Sequence, residues 1–218
     1  MRNKRIVVGI TGASGVVYGI RVLELLHGLA EVEVHLVVSS AAKRVIGLET
    51  CCSIKEIEAL AYAVYCDTDI AAPIASGSFG ADAMIIVPCS VKTLSAVANS
   101  YSSTLISRAA DVSLKQRRNL ILCIRETPFH CGHLRLMLQA SESGAVICPP
   151  VPDFYSQPEL LQDLIDQTAA KLLDLVGVEC DCLKRWNAGG SEQKGHSAHP
   201  EPRPKVGIEG PPPLSPEP

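Results

Sequence analysis

The chain is short of several things, and each shortage closes a class of function. It has no strong excess of one charge: 20 Lys and Arg stand against 23 Asp and Glu, a net charge of −3 at pH 7. A surface built to hold nucleic acid or an acidic membrane is normally basic, so neither partner is expected. No apolar run reaches the roughly 18 residues that cross a bilayer. The opening Met1-Arg2-Asn3-Lys4-Arg5 lacks the apolar core of a secretory signal, which makes a cytoplasmic protein the expectation. Among nine cysteines there is no C-x-x-C pair, and the number is odd. His130-Cys131-Gly132-His133 resembles part of a metal site, but a closed site needs about four ligands and no second cluster has matching spacing. Reduced thiols and no metal are therefore expected.

Proline is sparse until the end. Eight of the fifteen prolines fall in 188–218, AGGSEQKGHSAHPEPRPKVGIEGPPPLSPEP, which has little apolar periodicity. Such a stretch cannot bury enough surface to offset its ordering entropy, so it is expected to be a disordered tail. Residues 1–187 are expected to form one domain, since 47% hydrophobic and 20% charged residues suit a compact α/β protein.

Short aliphatic runs predict strands over 5–9, 33–38, 83–87, 119–124 and 145–148. Between them, helical spacing predicts helices over 16–29, 40–49, 54–63, 90–100, 104–117, 129–142 and 158–176, with Ser39 or Ser40 capping the second and Pro158 opening the last. This alternation predicts a doubly wound parallel sheet, a flavodoxin-like or Rossmann-type three-layer fold. Ligands in such folds sit beyond the carboxyl ends of the strands. The loops at 9–15, 39–40, 88–93, 125–128 and 149–155 lie there.

The first loop spaces its glycines G-x-x-G-x-x-G, at Gly9, Gly12 and Gly15. It is neither G-x-G-x-x-G nor a Walker loop. It suits an anion at a helix start, with Thr11 and Ser14 adding hydroxyls; it equally suits a tight turn without ligand. Ser90 and Thr93 stand at another helix start, where they can cap the helix or bind an anion. Arg108, Asp111 and Lys115 share one helix face, as an exposed ion-pair ladder would. Arg125-Glu126 follows an apolar strand directly; there an arginine fork suits phosphate and a carboxylate can move protons. Taken alone, Glu49 reads as a solvated helix-end residue and Trp186 as a packing anchor.

In combination, TGASG (11–15), LET (48–50), ASGS (75–78), PCSVKTLSAV (88–97), RAADV-LK (108–115), RETPF (125–129), GAVICPPVPDFY (144–155) and RW (185–186) resemble the UbiX-type flavin prenyltransferases. The likeness runs in order from about residue 4 to 187. It implies a homododecamer with FMN sites at subunit interfaces. It also implies a metal-free transfer of a dimethylallyl group from dimethylallyl monophosphate to N5 and C6 of reduced FMN. The product would serve a UbiD-type decarboxylase of aromatic or unsaturated acids.

By position, the resemblance implies FMN contacts at Gly12, Ala13, Ser14, Ser39, Ser90, Val91, Lys92, Thr93 and Arg125. It implies a prenyl-phosphate pocket at Lys115, Glu126, Tyr155 and Lys171 with Arg108 nearby. Ser14 and Glu49 match a polar pair at the reacting flavin edge, and Trp186 an aromatic lid. Some members carry arginine at the position of Lys171, and lysine lacks that residue's bidentate fork. Two alternatives remain. One is an FMN-dependent decarboxylase of a cysteine-bearing substrate, which does not match Cys89-Ser90 or the placement of His27 and His35. The other is a non-catalytic flavin-binding subunit, against which Lys115, Glu126 and Tyr155 speak.

Overall fold

A computed structural model describes residues 2–186; the expected tail over 188–218 lies outside them. Six strands form one parallel sheet: β1 (Lys4–Ile10), β2 (Val32–Val38), β3 (Ala63–Tyr65), β4 (Ala83–Cys89), β5 (Asn119–Ile124) and β6 (Val146–Ile147). Their order is β3-β2-β1-β4-β5-β6. Without the short edge strand β3, the remaining five run in the flavodoxin-like order; with it, the order is that of Rossmann folds. Either way the direction of winding reverses between β1 and β4, and a crevice opens there.

Four of the five strands expected from sequence are buried on both faces; the fifth, expected over 145–148, is the two-residue edge strand Val146–Ile147 with Val146 exposed. All seven residues of β4 and the last five of β1 and β2 are buried. Alternation then divides them between two cores. Ile6, Val8, Ile10, Ile85, Val87, Ile121 and Cys123 face α1 (Val16–His27), α2 (Ser40–Glu49) and α7 (Leu161–Leu175). Val7, Met84, Ile86, Leu120, Leu122 and Ile124 face α4 (Val91–Ala98), α5 (Leu105–Lys115) and α6 (Cys131–Glu142). Among the described residues no helix is long and apolar enough to cross a membrane.

Three expectations need correction. The helix over 54–63 stops early, as α3 (Ile54–Glu58), and Ala63–Tyr65 instead pairs with His35–Val37 of β2. A three-residue edge strand is fixed by its neighbour and has too few residues to show a period. Pro158 does not open α7, which starts at Leu161, where Asp163 Oδ2 accepts from the amides of Glu159 and Leu160 at 2.9 Å each. Trp186 is no core anchor; it is 71% exposed.

Candidate active site

The site at the carboxyl edge of the sheet begins with the loop between β1 and α1. Gly15 takes φ +92°, a left-handed conformation that lets the loop after β1 turn into α1 without strain for glycine. Gly12 is needed for closeness: a Cβ there would lie 2.4 Å from that of Ala41. The loop thus presses against the start of α2. Thr11, expected to offer its hydroxyl to an anion, uses it internally. Its Oγ1 donates to Pro88 O at 2.7 Å and accepts from Ser90 N at 2.8 Å, tying β1 to the end of β4. Thr11 is buried, so these bonds fix the loop rather than await a ligand.

Three helices start around the same opening, each capped. Ser39 Oγ accepts from Ala42 N at 3.1 Å, Ser90 Oγ from Thr93 N at 3.3 Å, and Thr104 Oγ1 from Ser107 N at 3.3 Å. Asp67 supports the third start, its Oδ1 accepting from Ile106 N at 3.0 Å. Together they enclose a cleft of about 460 Å3 lined by Gly12, Ser39, Ser90, Val91, Lys92, Thr93 and Glu126, with Asp67, Thr68, Thr104 and Ser107. The positive ends of three helix dipoles converge on it, which favours an anionic group. Its size is that of a cofactor pocket.

A second cleft, of about 400 Å3, lies on the other side of the glycine loop, lined by Ser14, Gly15, Tyr18, Glu49, Arg125, Pro150, Leu161 and others. Glu49 is not a solvated helix end. Its Oε2 accepts from Gly15 N at 2.8 Å and Val16 N at 3.4 Å, so the carboxylate sits on the positive end of α1 beside Ser14. Arg125 and Glu126 are consecutive but line different clefts, and so join the two. Burial raises the Tyr18 phenol above its usual value; the nearby Cys123 adds to the shift and Arg125 opposes it. Burial also pushes the thiols of Cys89 and Cys123 up, which leaves neither as a ready nucleophile.

Arg108, Lys115, Tyr155, Lys171 and Trp186 line neither cleft. Arg108 donates to Asp111 at 2.9 Å and to Ala75 O at 3.2 Å, the ion pair that the helix face predicted. Lys115 is exposed at the far end of α5 from Thr104; eleven residues at about 1.5 Å each separate them by roughly 16 Å. Tyr155 meets Trp186 edge to face, with centroids 5.6 Å apart. Lys171 approaches Asp174 at 3.6 Å, and Asp174 also receives Arg185 at 2.6 Å.

Sequence reasoning missed several lining residues. Thr104 and Ser107 carry the Thr-x-x-Ser spacing of a helix start, which was a usable signal. Tyr18 is three residues past Gly15 and reads only as part of an apolar helix. Asp67 and Thr68 come from a stretch without periodicity and gave no signal.

A family model described as flavoprotein matches residues 1–172. The flavin prenyltransferase UbiX of Escherichia coli strain K12 is 52% identical over 185 residues, 84% of this chain and 98% of that protein. The crystal structure of AnUbiX (PadA1) in complex with FMN and dimethylallyl pyrophosphate is 49% identical with a TM-score of 0.84, covering 87% of this chain and 100% of that one. A dodecameric FMN-dependent UbiX-like decarboxylase from Escherichia coli O157:H7 is 43% identical with a TM-score of 0.82, covering 84% of this chain and 99% of that one. The chain belongs to the flavoprotein family and, within it, to the UbiX-type flavin prenyltransferases.

Proposed function

We propose that this chain is a flavin prenyltransferase that moves a dimethylallyl group from dimethylallyl monophosphate to N5 and C6 of reduced FMN. The observation that carries the reading is the cleft on which the starts of α2, α4 and α5 converge, with Glu126 on its wall. Bound FMN supplies the two nucleophilic positions. Gly12, Ala13, Ser39 and the turn from Ser90 to Thr93 hold its phosphate and ribityl chain, since short side chains at positive helix ends let an anion approach closely. Ser14, Glu49 and Arg125 stand at the adjoining cleft, toward the reacting edge.

The donor's allylic carbon–oxygen bond breaks as inorganic phosphate leaves, and the site must stabilise the charge that gathers on that phosphate. Lys115, Arg108, Lys171 and the Tyr155 phenol are the groups for it. Glu126 exchanges a proton with the phosphate, which passes it to the allylic double bond so that the far alkene carbon can bond C6. Glu49 through Ser14 receives the proton displaced from that ring carbon. Trp186 covers the allylic group with an aromatic face. No metal enters this scheme.

One chain does not gather these groups, and we read the site as completed by neighbouring copies. Exposed apolar side chains at Phe129, Leu134, Leu138 and Phe154 support this, since a monomer gains nothing by wetting them. The UbiX-like neighbour is described as dodecameric, and twelve copies are the proposed assembly. The product's receiver is proposed to be a UbiD-type decarboxylase, and the compartment the cytoplasm.

The test is anaerobic incubation of the protein with reduced FMN and dimethylallyl monophosphate, followed by mass analysis of the extracted flavin. A gain of one five-carbon prenyl unit is expected. Unmodified flavin with this donor and with dimethylallyl pyrophosphate would leave only a flavin-holding subunit. Glu126→Gln is expected to keep FMN and lower kcat by about a hundredfold or more, the usual worth of a positioned acid–base group. Turnover at the parent rate in that variant would remove Glu126 from proton transfer.

A further inference from the structure

We propose that Gln167 is the positioning residue that aims the Tyr155 phenol at the donor phosphate and docks the C-terminal strap over it. This rests on the reading of Tyr155 as a phosphate-pocket residue. Gln167 stands on α7, and although polar it is only 3% exposed. A carboxamide so buried needs partners for both its ends. It finds them in the strap formed by residues 180–186. Oε1 accepts from Lys184 N at 3.0 Å, and Nε2 donates to Lys184 O at 2.9 Å. The side chain therefore pairs with one residue's backbone as a neighbouring strand would.

The same Nε2 donates to the Tyr155 hydroxyl at 3.3 Å. That bond uses the phenol oxygen as an acceptor and leaves its proton to be given elsewhere. Its present acceptors are distant: Asp153 Oδ2 at 3.3 Å and Lys184 O at 3.4 Å. A phosphate oxygen is a stronger, charged acceptor and draws such a proton into a shorter bond. Gln167 thus fixes the phenol's orientation without consuming its donor.

Two further contacts bind the strap to the same turn. Lys184 Nζ donates to Ser156 O at 3.0 Å, and the Trp186 ring rests edge-on against Tyr155. One buried amide therefore sets the phenol and the aromatic cover together. Sequence alone gives no hint of it, because its partners lie 12 residues before it and 17 after it.

The test is a double-mutant cycle on the FMN-loaded protein: parent, Tyr155→Phe, Gln167→Leu and the pair. Readouts are kcat/KM for dimethylallyl monophosphate, FMN affinity, and the emission of Trp186, the chain's single tryptophan. Each single variant is expected to lower kcat/KM about tenfold, the worth of one hydrogen bond to a charged group. FMN affinity is expected to hold. The double variant is expected to be no worse than the poorer single one, because both remove the same donor. Gln167→Leu should also change Trp186 emission by releasing the indole from its edge contact with the Tyr155 ring, whereas Tyr155→Phe, which keeps that ring, should not.

Additive losses would overturn the proposal, since a general loosening of α7 adds to whatever Tyr155 does. A parent kcat/KM in Gln167→Leu beside a slow Tyr155→Phe would remove Gln167 and leave the phosphate pocket standing. A parent kcat/KM in Tyr155→Phe would remove Tyr155 from that pocket, and the inference with it. Gln167→Glu keeps the test decisive where the apolar variant does not fold. Its carboxylate still accepts from Lys184 N but has no N–H for the phenol, so the tenfold loss is again expected. A parent rate there overturns the proposal.

Discussion

The cleft at the three helix starts and the strap around Tyr155 are built by opposite means. The cleft wall is built largely from short side chains at helix starts, with Lys92 and Glu126 beside them, and its hydroxyls are bonded to backbone a few residues away. Thr11 fixes it from inside, and Gly12 sets how closely loop and helix approach. The strap instead carries long, exposed side chains, held by Gln167, Lys184 and the Arg185–Asp174 ion pair. A site for a phosphate held throughout turnover suits the first design. A site that must admit one phosphate and release another suits the second, since few and weaker bonds break at each cycle.

If that contrast holds, damage to the cleft should remove flavin without touching the strap. The largest effect is expected for Gly12→Val. Its Cβ has no room against Ala41, and relieving the clash pushes the loop off α2. Overpacking of this kind costs about 1–3 kcal/mol, and a displaced loop should weaken FMN binding at least about tenfold. Trp186 emission should stay at the parent value. Isothermal titration with FMN checks the first half and fluorescence the second; a joint change would mean that the two regions move as one.

Thr11→Val is the next in size. It keeps the shape but leaves Pro88 O with one partner fewer and Ser90 N unpaired, in a place that is almost fully buried. A loss of about 1–3 kcal/mol in unfolding free energy is expected from the stranded groups. Denaturant unfolding checks it. An effect below about 0.5 kcal/mol would show that Thr11 does not hold the loop, because that is the range of surface substitutions.

The same contrast explains what could be read in advance. β1, β2, β4 and β5 are legible because strands buried on both faces must be aliphatic throughout. The loops that line the clefts follow from them, since carboxyl ends of parallel strands are where ligands sit. Glu49 misled because its partners, Gly15 and Val16, are 34 and 33 residues away, and nothing local marks a helix start as its target. β3 stayed hidden because three residues at a sheet edge take their conformation from β2. The strap was legible only through resemblance, as RW at 185–186. Its physics depends on Gln167, whose identity looks like that of any polar residue on a helix until the fold buries it.

The smallest effect concerns Asp174, and its sign separates docking from folding. Arg185 donates to this carboxylate at 2.6 Å, and with Lys171 nearby the pair holds its pKa below the usual 3.8 despite an opposing cost of desolvation. A depressed carboxyl adds its stability above the unfolded value and loses it as pH falls through the folded one. Between pH 5 and pH 8 the contact is therefore complete, and Trp186 emission should not change with pH on this account. Asp174→Asn should alter that emission slightly at neutral pH, because an ion pair this exposed contributes little. Raising the salt concentration should shrink the difference between variant and parent, since exposed charges are screened. FMN affinity should not respond to the substitution. A strap that came free in Asp174→Asn would make the ion pair the main fastening and demote Gln167; a strap that stayed put would leave the buried amide as the hinge on which Tyr155 and Trp186 are hung.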